Sequence, residues 1–353
     1  MNARVVLLPG DGIGPEVVGA AVRVLERIGA RFGHRWTFDT RLIGGAALRQ
    51  RLPPLPDDTL AAAKGADAVL LGAVGDPAFD ALPPSERPES ALLKLRRELG
   101  VFANLRPARA WPGLDHAGPL KPEVLAGTDM VVVRELTGGL YYGEPRGYDA
   151  AAGTAVNTLR YTATEVERVA RVAFALARVR RKRLVSVDKV NVLEVSRLWR
   201  NVVTGLAREY PDVALTHELV DACAMKLAFA PASFDVILTE NMFGDILSDE
   251  AGAVCGSLGL LPSASLGPGP GLFEPVHGSA PDIAGQSKAN PIGAIASAGM
   301  LLAESFGLHD EQAAIIAAIE KTLAAGVRTA DIVEPGGAAA TTTAFTDSVV
   351  AAI

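Results

Sequence analysis

The sequence predicts an α/β fold with a largely parallel sheet, divided over two domains. Three observations carry that reading. Short apolar runs alternate with segments of about ten to fifteen residues whose apolar positions recur at helical spacing. The chain has 353 residues, more than the roughly 100–200 usual for one domain. Hydrophobic residues make up 49% and charged residues 21%, which excludes disorder and fits a large core.

The elements follow in order. Arg4–Leu8 is a short apolar strand that stops at Pro9-Gly10-Asp11-Gly12. Glu16 to Ala30 is a helix, with Val17, Ala20, Ala21, Val24, Leu25 and Ile28 on one face. Ala68–Leu71 and Met130–Val133 read as buried strands. Thr137–Thr158, rich in Gly and Tyr, is the least helical stretch and reads as an arm or hairpin. Glu165–Val179 is a helix, Leu184–Val187 a strand, and Leu193–Glu209 a second helix. Asp235–Thr239 is a strand followed by a helix through Asp249, and Ile292–Gly326 is mostly Ala-rich helix. No internal repeat stands out.

Composition narrows the function. Lys+Arg is 34 against Asp+Glu 40, a net charge of −6, which speaks against a general nucleic-acid binder. Two cysteines, Cys223 and Cys255, make no disulfide framework and have no histidines at zinc spacing, so a cytoplasmic location is expected. No secretory signal is evident in Val5–Leu8, a run too short for a signal core. Ala251–Phe273 is uncharged, but its six glycines and three prolines exclude a membrane-spanning helix.

The turn Gly10-Asp11-Gly12-Ile13-Gly14-Pro15-Glu16 lies between a strand and a helix. It reads equally as an anion-approaching loop or as a plain tight turn with Pro15 starting the helix. It is not the dinucleotide fingerprint, because Pro15 stands where the third glycine belongs. A Rossmann fold is therefore not expected.

The strongest local signal is Asn241-Met242-Phe243-Gly244-Asp245-Ile246-Leu247-Ser248-Asp249. Asp245 and Asp249 are four apart and project from one helix face. Like charges at that spacing cost roughly 0.2–0.5 kcal/mol unless compensated. Either a divalent cation compensates them, or they are an acidic helix start favoured by the macrodipole. Asp221, just after an apolar strand, is a candidate third ligand.

Arg96, Arg106 and Arg134 fall next to predicted strands. Together their guanidinium forks suit a substrate with more than one carboxylate; singly, each also fits a surface ion pair. Lys189 ends a strand and becomes a useful base only if a neighbouring cation lowers its affinity for protons. Tyr141, in the Gly-rich segment, is a candidate proton donor.

These blocks together resemble the decarboxylating β-hydroxyacid dehydrogenases, the isopropylmalate/isocitrate dehydrogenase family. The matching blocks are residues 10–16, 102–107, 133–139, 142–147, 187–193, 241–249, 256–264 and 274–283. Their order and full-length spread make the resemblance specific. It implies a two-domain fold with a shared ten-stranded mixed sheet, unlike the Rossmann type. The first domain, 1–101 plus 256–353, would be mainly cofactor-binding. The second, 102–255, would hold substrate and metal and carry a dimerising arm near 137–158.

The implied reaction is NAD-dependent oxidative decarboxylation of 3-isopropylmalate to 4-methyl-2-oxopentanoate in leucine biosynthesis. Asp221, Asp245 and Asp249 would hold Mg²⁺ or Mn²⁺, with Lys189 as base and Tyr141 as final proton donor. Lys189 and Asp221 would come from the second subunit of an obligate homodimer with shared active sites. Arg96, Arg106 and Arg134 would hold the malate portion. Glu89, Leu92, Leu93 and Val192 would face the group on the third carbon, the leucines and Val192 forming an apolar wall. Glu274, His277, Gly278, Ser279, Ala280, Asp282, Ile283 and Asn290 would bind NAD, with Asp282 on the adenosine ribose.

Two departures stand out: Val190 where the family usually has Ala, and an acidic Glu240 before Asn241. Alternatives are a D-malate/tartrate or homoisocitrate enzyme, or a non-catalytic regulatory relative. The last is disfavoured because Tyr141, Lys189 and the three aspartates are all present.

Overall fold

Parallel strands with both faces covered must be apolar throughout, and that is where the sheet begins. The computed structural model describes residues 1–353. The strands are β1 (Asn2–Gly10), β2 (Arg35–Thr40), β3 (Ala68–Ala73), β4 (Ala103–Arg109), β5 (Asp129–Glu135) and β6 (Gly147–Asp149). They continue with β7 (Thr154–Val156), β8 (Arg183–Asp188), β9 (Ala214–Leu219), β10 (Val236–Thr239), β11 (Pro262–Leu266) and β12 (Gly271–Pro275). Ten of these enter a mixed sheet; β6 and β7 form a separate exposed hairpin. The chain divides into two compact units: 1–101 with 111–119 and 256–353, and 102–110 with 120–255. Trp111–Pro119 thus packs with the first unit, although it falls inside the 102–255 stretch expected to form the second domain.

In the first unit, β1 pairs in parallel with β2 and β3, β3 with β12, and β12 antiparallel with β11. The Gly14–Phe32 helix has Pro near its start and ends at Gly33 in the left-handed region, φ 76°. Its buried face, Val17, Val18, Ala21, Val24, Leu25 and Ile28, follows the helical period of the sequence. Ile292–Phe306 is buried on nearly every side, as a helix apolar all round must be, followed by His309–Ala324.

In the second unit, β4 pairs antiparallel with β5, and β5, β10, β8 and β9 follow in parallel. The Ala163–Val179 helix opens with a capping box in which Thr162 and Glu165 exchange side-chain and backbone hydrogen bonds. The helices Glu194–Leu206, Val220–Phe229 and Asn241–Cys255 complete the unit. No helix is long and apolar enough to cross a membrane. The sheet is less parallel than the sequence suggests, since β4 and β11 run against their neighbours β5 and β12.

Candidate active site

The site grows from the ends of β4, β5 and β10. In the antiparallel register Asn104 lies opposite Arg134 and Arg106 opposite Val132. Thr239 of β10 lies opposite Arg134, so the chain leaves β10 beside that arginine and enters the Asn241–Cys255 helix. Glu240, the departure without an explanation in the sequence, caps this helix. Its buried carboxylate accepts hydrogen bonds from the backbone N–H of Met242 at 3.1 Å and Phe243 at 2.9 Å. Burial nevertheless pushes its protonation above the ordinary carboxylate range. Gly244 is required by close approach: a Cβ there would lie 2.7 Å from Arg134 Cβ and Cγ.

Helical spacing puts Asp245 and Asp249 on one face, as expected. Arg106 Nη1 reaches Asp245 Oδ1 at 3.3 Å, Asp249 Oδ1 at 3.2 Å and Ser248 Oγ at 2.8 Å. Arg134 donates to Asp245 Oδ1 through Nη1 and to Asn241 Oδ1 through Nε at 3.0 Å and Nη2 at 2.7 Å. Tyr141 donates to Asp245 Oδ2 at 2.9 Å. Burial pushes the Asp249 carboxyl up, Arg106 pulls it down, and the like charge of Asp245 pushes it up again. Burial and the bond to Asp245 raise the Tyr141 phenol, keeping it protonated at neutral pH. Two buried forks, two hard carboxylates and a phenol therefore share one cluster. Mg²⁺ takes one or two protein carboxylates with water and substrate oxygens, and Asp245 with Asp249 fits that donor set.

Asp221 does not join this pair within one chain; no group of three or more His, Cys, Asp or Glu here is disposed to hold a metal. It opens the Val220–Phe229 helix and accepts from Lys189 Nζ at 2.5 Å, a bond that holds its carboxyl below the ordinary range. The Lys189 turn is fixed by backbone bonds: Lys189 N–H donates to Ser196 Oγ at 3.0 Å and Val190 N–H to Asp188 Oδ1 at 2.9 Å. Asp188 is itself gripped by Arg200 at 2.8 and 2.9 Å. The Val190 departure leaves these anchors in place, since they use backbone N–H groups.

The remaining expected residues lie in the first unit, except Val192. Arg96 is inside the Pro88–Leu99 helix, not at a strand end, and its guanidinium pairs with buried Glu274 at 2.8 Å. That helix is anchored by Ala91, Leu95 and Leu99; Leu92 is half-buried and Leu93 exposed, so these leucines are not its core. Glu89 and Val192 are also exposed.

The glycine turn after β1 is resolved as a tight turn. Asp11 N–H donates to Ala73 O, Gly14 N–H to Asp11 O, and Ile13 N–H to Ser279 O at 2.8 Å. Asp11 in turn accepts from the N–H groups of Gly45, Ala46 and Gly75. These amides serve the protein, and the turn buttresses the 277–283 loop. In that loop His277 Nδ1 lies 2.9 Å from Gly278 O, while its buried Nε2 has no protein partner. Burial lowers the affinity of this ring for protons, so it is neutral at pH 7. Gly278 and Asp282 are exposed, whereas Ser279, Ala280 and Ile283 are half-buried. Asn290 is already engaged, donating to Asp331 Oδ2 at 3.0 Å and accepting from Ile292 N–H at 3.0 Å. An orphaned ring nitrogen beside exposed loop groups fits a dinucleotide's base and ribose.

Comparison with known proteins decides the family. The family model for isocitrate/isopropylmalate dehydrogenases matches residues 4–349. The chain belongs to the isocitrate/isopropylmalate dehydrogenase family. Among curated members, a 3-isopropylmalate dehydrogenase of Geobacillus kaustophilus is 54% identical over all of this chain and 96% of its own. One from Shouchella clausii is 55% identical over all of this chain and 98% of its own. Among solved members, isocitrate dehydrogenase from Methylococcus capsulatus shares 34% identity, with 99% of both chains covered and a TM-score of 0.88. Sequence reasoning gave this family member's Asn241, Tyr161 and Glu135 no role, because their contacts arise only in the fold.

Proposed function

We propose that the chain catalyses the NAD- and divalent-metal-dependent oxidative decarboxylation of 3-isopropylmalate to 4-methyl-2-oxopentanoate and CO₂, a step of leucine biosynthesis. The observation that carries the reading is the convergence of Arg106, Arg134, Asp245, Asp249 and Tyr141. Substrate identity is supported by relatives of that name at 54–55% identity, against 34% for the isocitrate enzyme.

Arg106 and Arg134, joined by Arg96, hold the two carboxylates and orient the hydroxyl-bearing carbon. Asp245 and Asp249, with Asp221 from a second subunit, would hold Mg²⁺ or Mn²⁺, which supplies Lewis acidity at the hydroxyl oxygen. The 277–283 loop would hold NAD, which when bound would supply the hydride acceptor. Lys189, also from the second subunit, takes the hydroxyl proton. After CO₂ leaves, Tyr141 delivers a proton to the carbon that lost it, a task suited to a phenol kept protonated by burial and Asp245. The exposed β6–β7 hairpin suits pairing with a second copy in a homodimer. A first domain that mainly binds the cofactor, a second that holds substrate and metal, and a cytoplasmic location complete the proposal.

Leu92, Leu93 and Val192 suit an isopropyl group and leave a third carboxylate unpaired. A missing methylene in such a pocket is worth roughly 1–3 kcal/mol, and an unpaired buried carboxylate costs more. The test is NADH formation from 3-isopropylmalate, isocitrate and D-malate side by side, with and without chelator. 3-Isopropylmalate should lead and depend on metal; isocitrate or D-malate outrunning it would overturn the assignment.

A further inference from the structure

Beneath the site lies a closed ring of buried hydrogen bonds that the reaction scheme above does not use. Asn241 accepts from Arg134 through Oδ1, and its Nδ2 donates to Gly138 O at 3.0 Å. Gly138 N–H donates to Glu135 Oε2 at 2.7 Å. Tyr161 donates to the same oxygen at 3.1 Å and accepts from Asn241 N–H at 3.1 Å, closing the ring. Glu135, fully buried, also accepts from Thr137 Oγ1 and Arg168 Nη2, each at 3.0 Å.

The glycines of Thr137-Gly138-Gly139 follow from this arrangement. A Cβ on Gly138 would come within 2.6 Å of Tyr161 Cε1, and one on Gly139, at φ +72°, within 2.6 Å of Tyr161 Oη. The Tyr161 ring therefore lies directly on the turn that leads to Tyr141. Trp199 packs edge-on against the same ring, with centroids 5.7 Å apart. Burial, with the charges of Glu135 and Glu240, pushes the Tyr161 phenol far up, so it remains a donor.

We propose that Asn241 and Tyr161 are positioning residues that fix Arg134 and the Gly138–Tyr141 turn to each other. The ring reaches Arg134 through its guanidinium and Tyr141 through the turn's backbone. It thereby holds the substrate-orienting fork and the proton donor at the common acceptor, Asp245. The inference rests on the proposed oxidative decarboxylation and assigns the ring to its last step, delivery of the proton.

The test uses full-length protein with NAD, Mg²⁺ and 3-isopropylmalate. Tyr161→Phe keeps the ring packing and removes both hydroxyl bonds. Asn241→Asp keeps an acceptor for Arg134 and removes the donor to Gly138 O. Each should lower kcat by about tenfold and change KM by less than about twofold. In each, the solvent deuterium isotope effect on kcat should rise as final proton transfer becomes limiting. The double variant should be no worse than the more damaging single one, as for residues acting as a unit. Where Asn241→Asp does not fold, Tyr161→Phe decides. A lowered melting temperature with a wild-type isotope effect would mean a structural role alone and overturn the proposal, as would a loss confined to KM. Wild-type protein inactive on 3-isopropylmalate removes the parent reading and this inference with it. Active wild type with unaltered isotope effects in the variants removes the inference alone.

Discussion

Gly12→Ala tests how the first unit holds the proposed dinucleotide loop. Gly12 sits at φ +57°, and a Cβ there would lie 1.9 Å from the Ser279 carbonyl oxygen and 2.7 Å from its carbon. The obstacle is backbone, so no rotamer change relieves it. Reaching even a 3.0 Å contact requires a retreat of more than 1 Å, which breaks the Ile13 N–H to Ser279 O bond of 2.8 Å. Left-handed backbone costs a non-glycine residue roughly 1–2 kcal/mol, and a lost hydrogen bond about 0.5–1.5 kcal/mol. The substitution should therefore cost about 1.5–3.5 kcal/mol, a melting-temperature drop on the order of 2–5 °C for a chain of this length. Because Ser279 lies between His277 and Asp282, KM for NAD should rise at least roughly fivefold while KM for the hydroxy acid stays within about twofold. Thermal melts and two-substrate kinetics on the same preparation check both. Unchanged melting temperature with unchanged KM for NAD would refute the buttress.

Glu240→Gln keeps an acceptor for the helix cap and removes a charge that burial disfavours. The folded carboxyl is protonated more readily than the ordinary value of 4.5, so the folded state binds more protons between that value and its raised one. Wild-type stability therefore falls across that interval as pH rises, and the variant should gain on wild type as pH is raised above the ordinary carboxylate range. A melting-temperature difference that does not change with pH would refute it. Asp245→Asn should lower kcat at least about a hundredfold. It should also abolish the rise in melting temperature that Mg²⁺ gives wild type; an equal Mg²⁺-induced rise in the variant would sink the metal assignment. Asp282→Asn should narrow the preference for NAD over NADP by roughly tenfold, because the carboxylate no longer repels a 2′-phosphate. Ratios of kcat/KM for the two cofactors measure it, and an unchanged ratio would count against the ribose role.

How much of the molecule was legible depended on how local each cause is. The buried strands β1, β3, β5, β8 and β10 announce themselves because both faces are covered and their residues are continuously apolar. β2 escapes notice because it alternates exposed and half-buried residues and carries charge. β4 carries Asn104, Arg106 and Pro107 in place of an apolar run, and β11 and β12 lie among glycines and prolines that read as loop. The Asp245–Asp249 pair is readable because helical spacing is a local rule. Asn241 sits in the same block, yet spacing assigns it nothing. Its partners are Arg134, 107 positions away, Gly138, 103 away, and Tyr161, 80 away. A side-chain amide with one acceptor and one donor can join two distant segments only after the sheet has brought β5 beside β10. Tyr141 and Arg134 acquire their geometry from that long-range pairing, which is why their identities can be read from the chain while their alignment cannot.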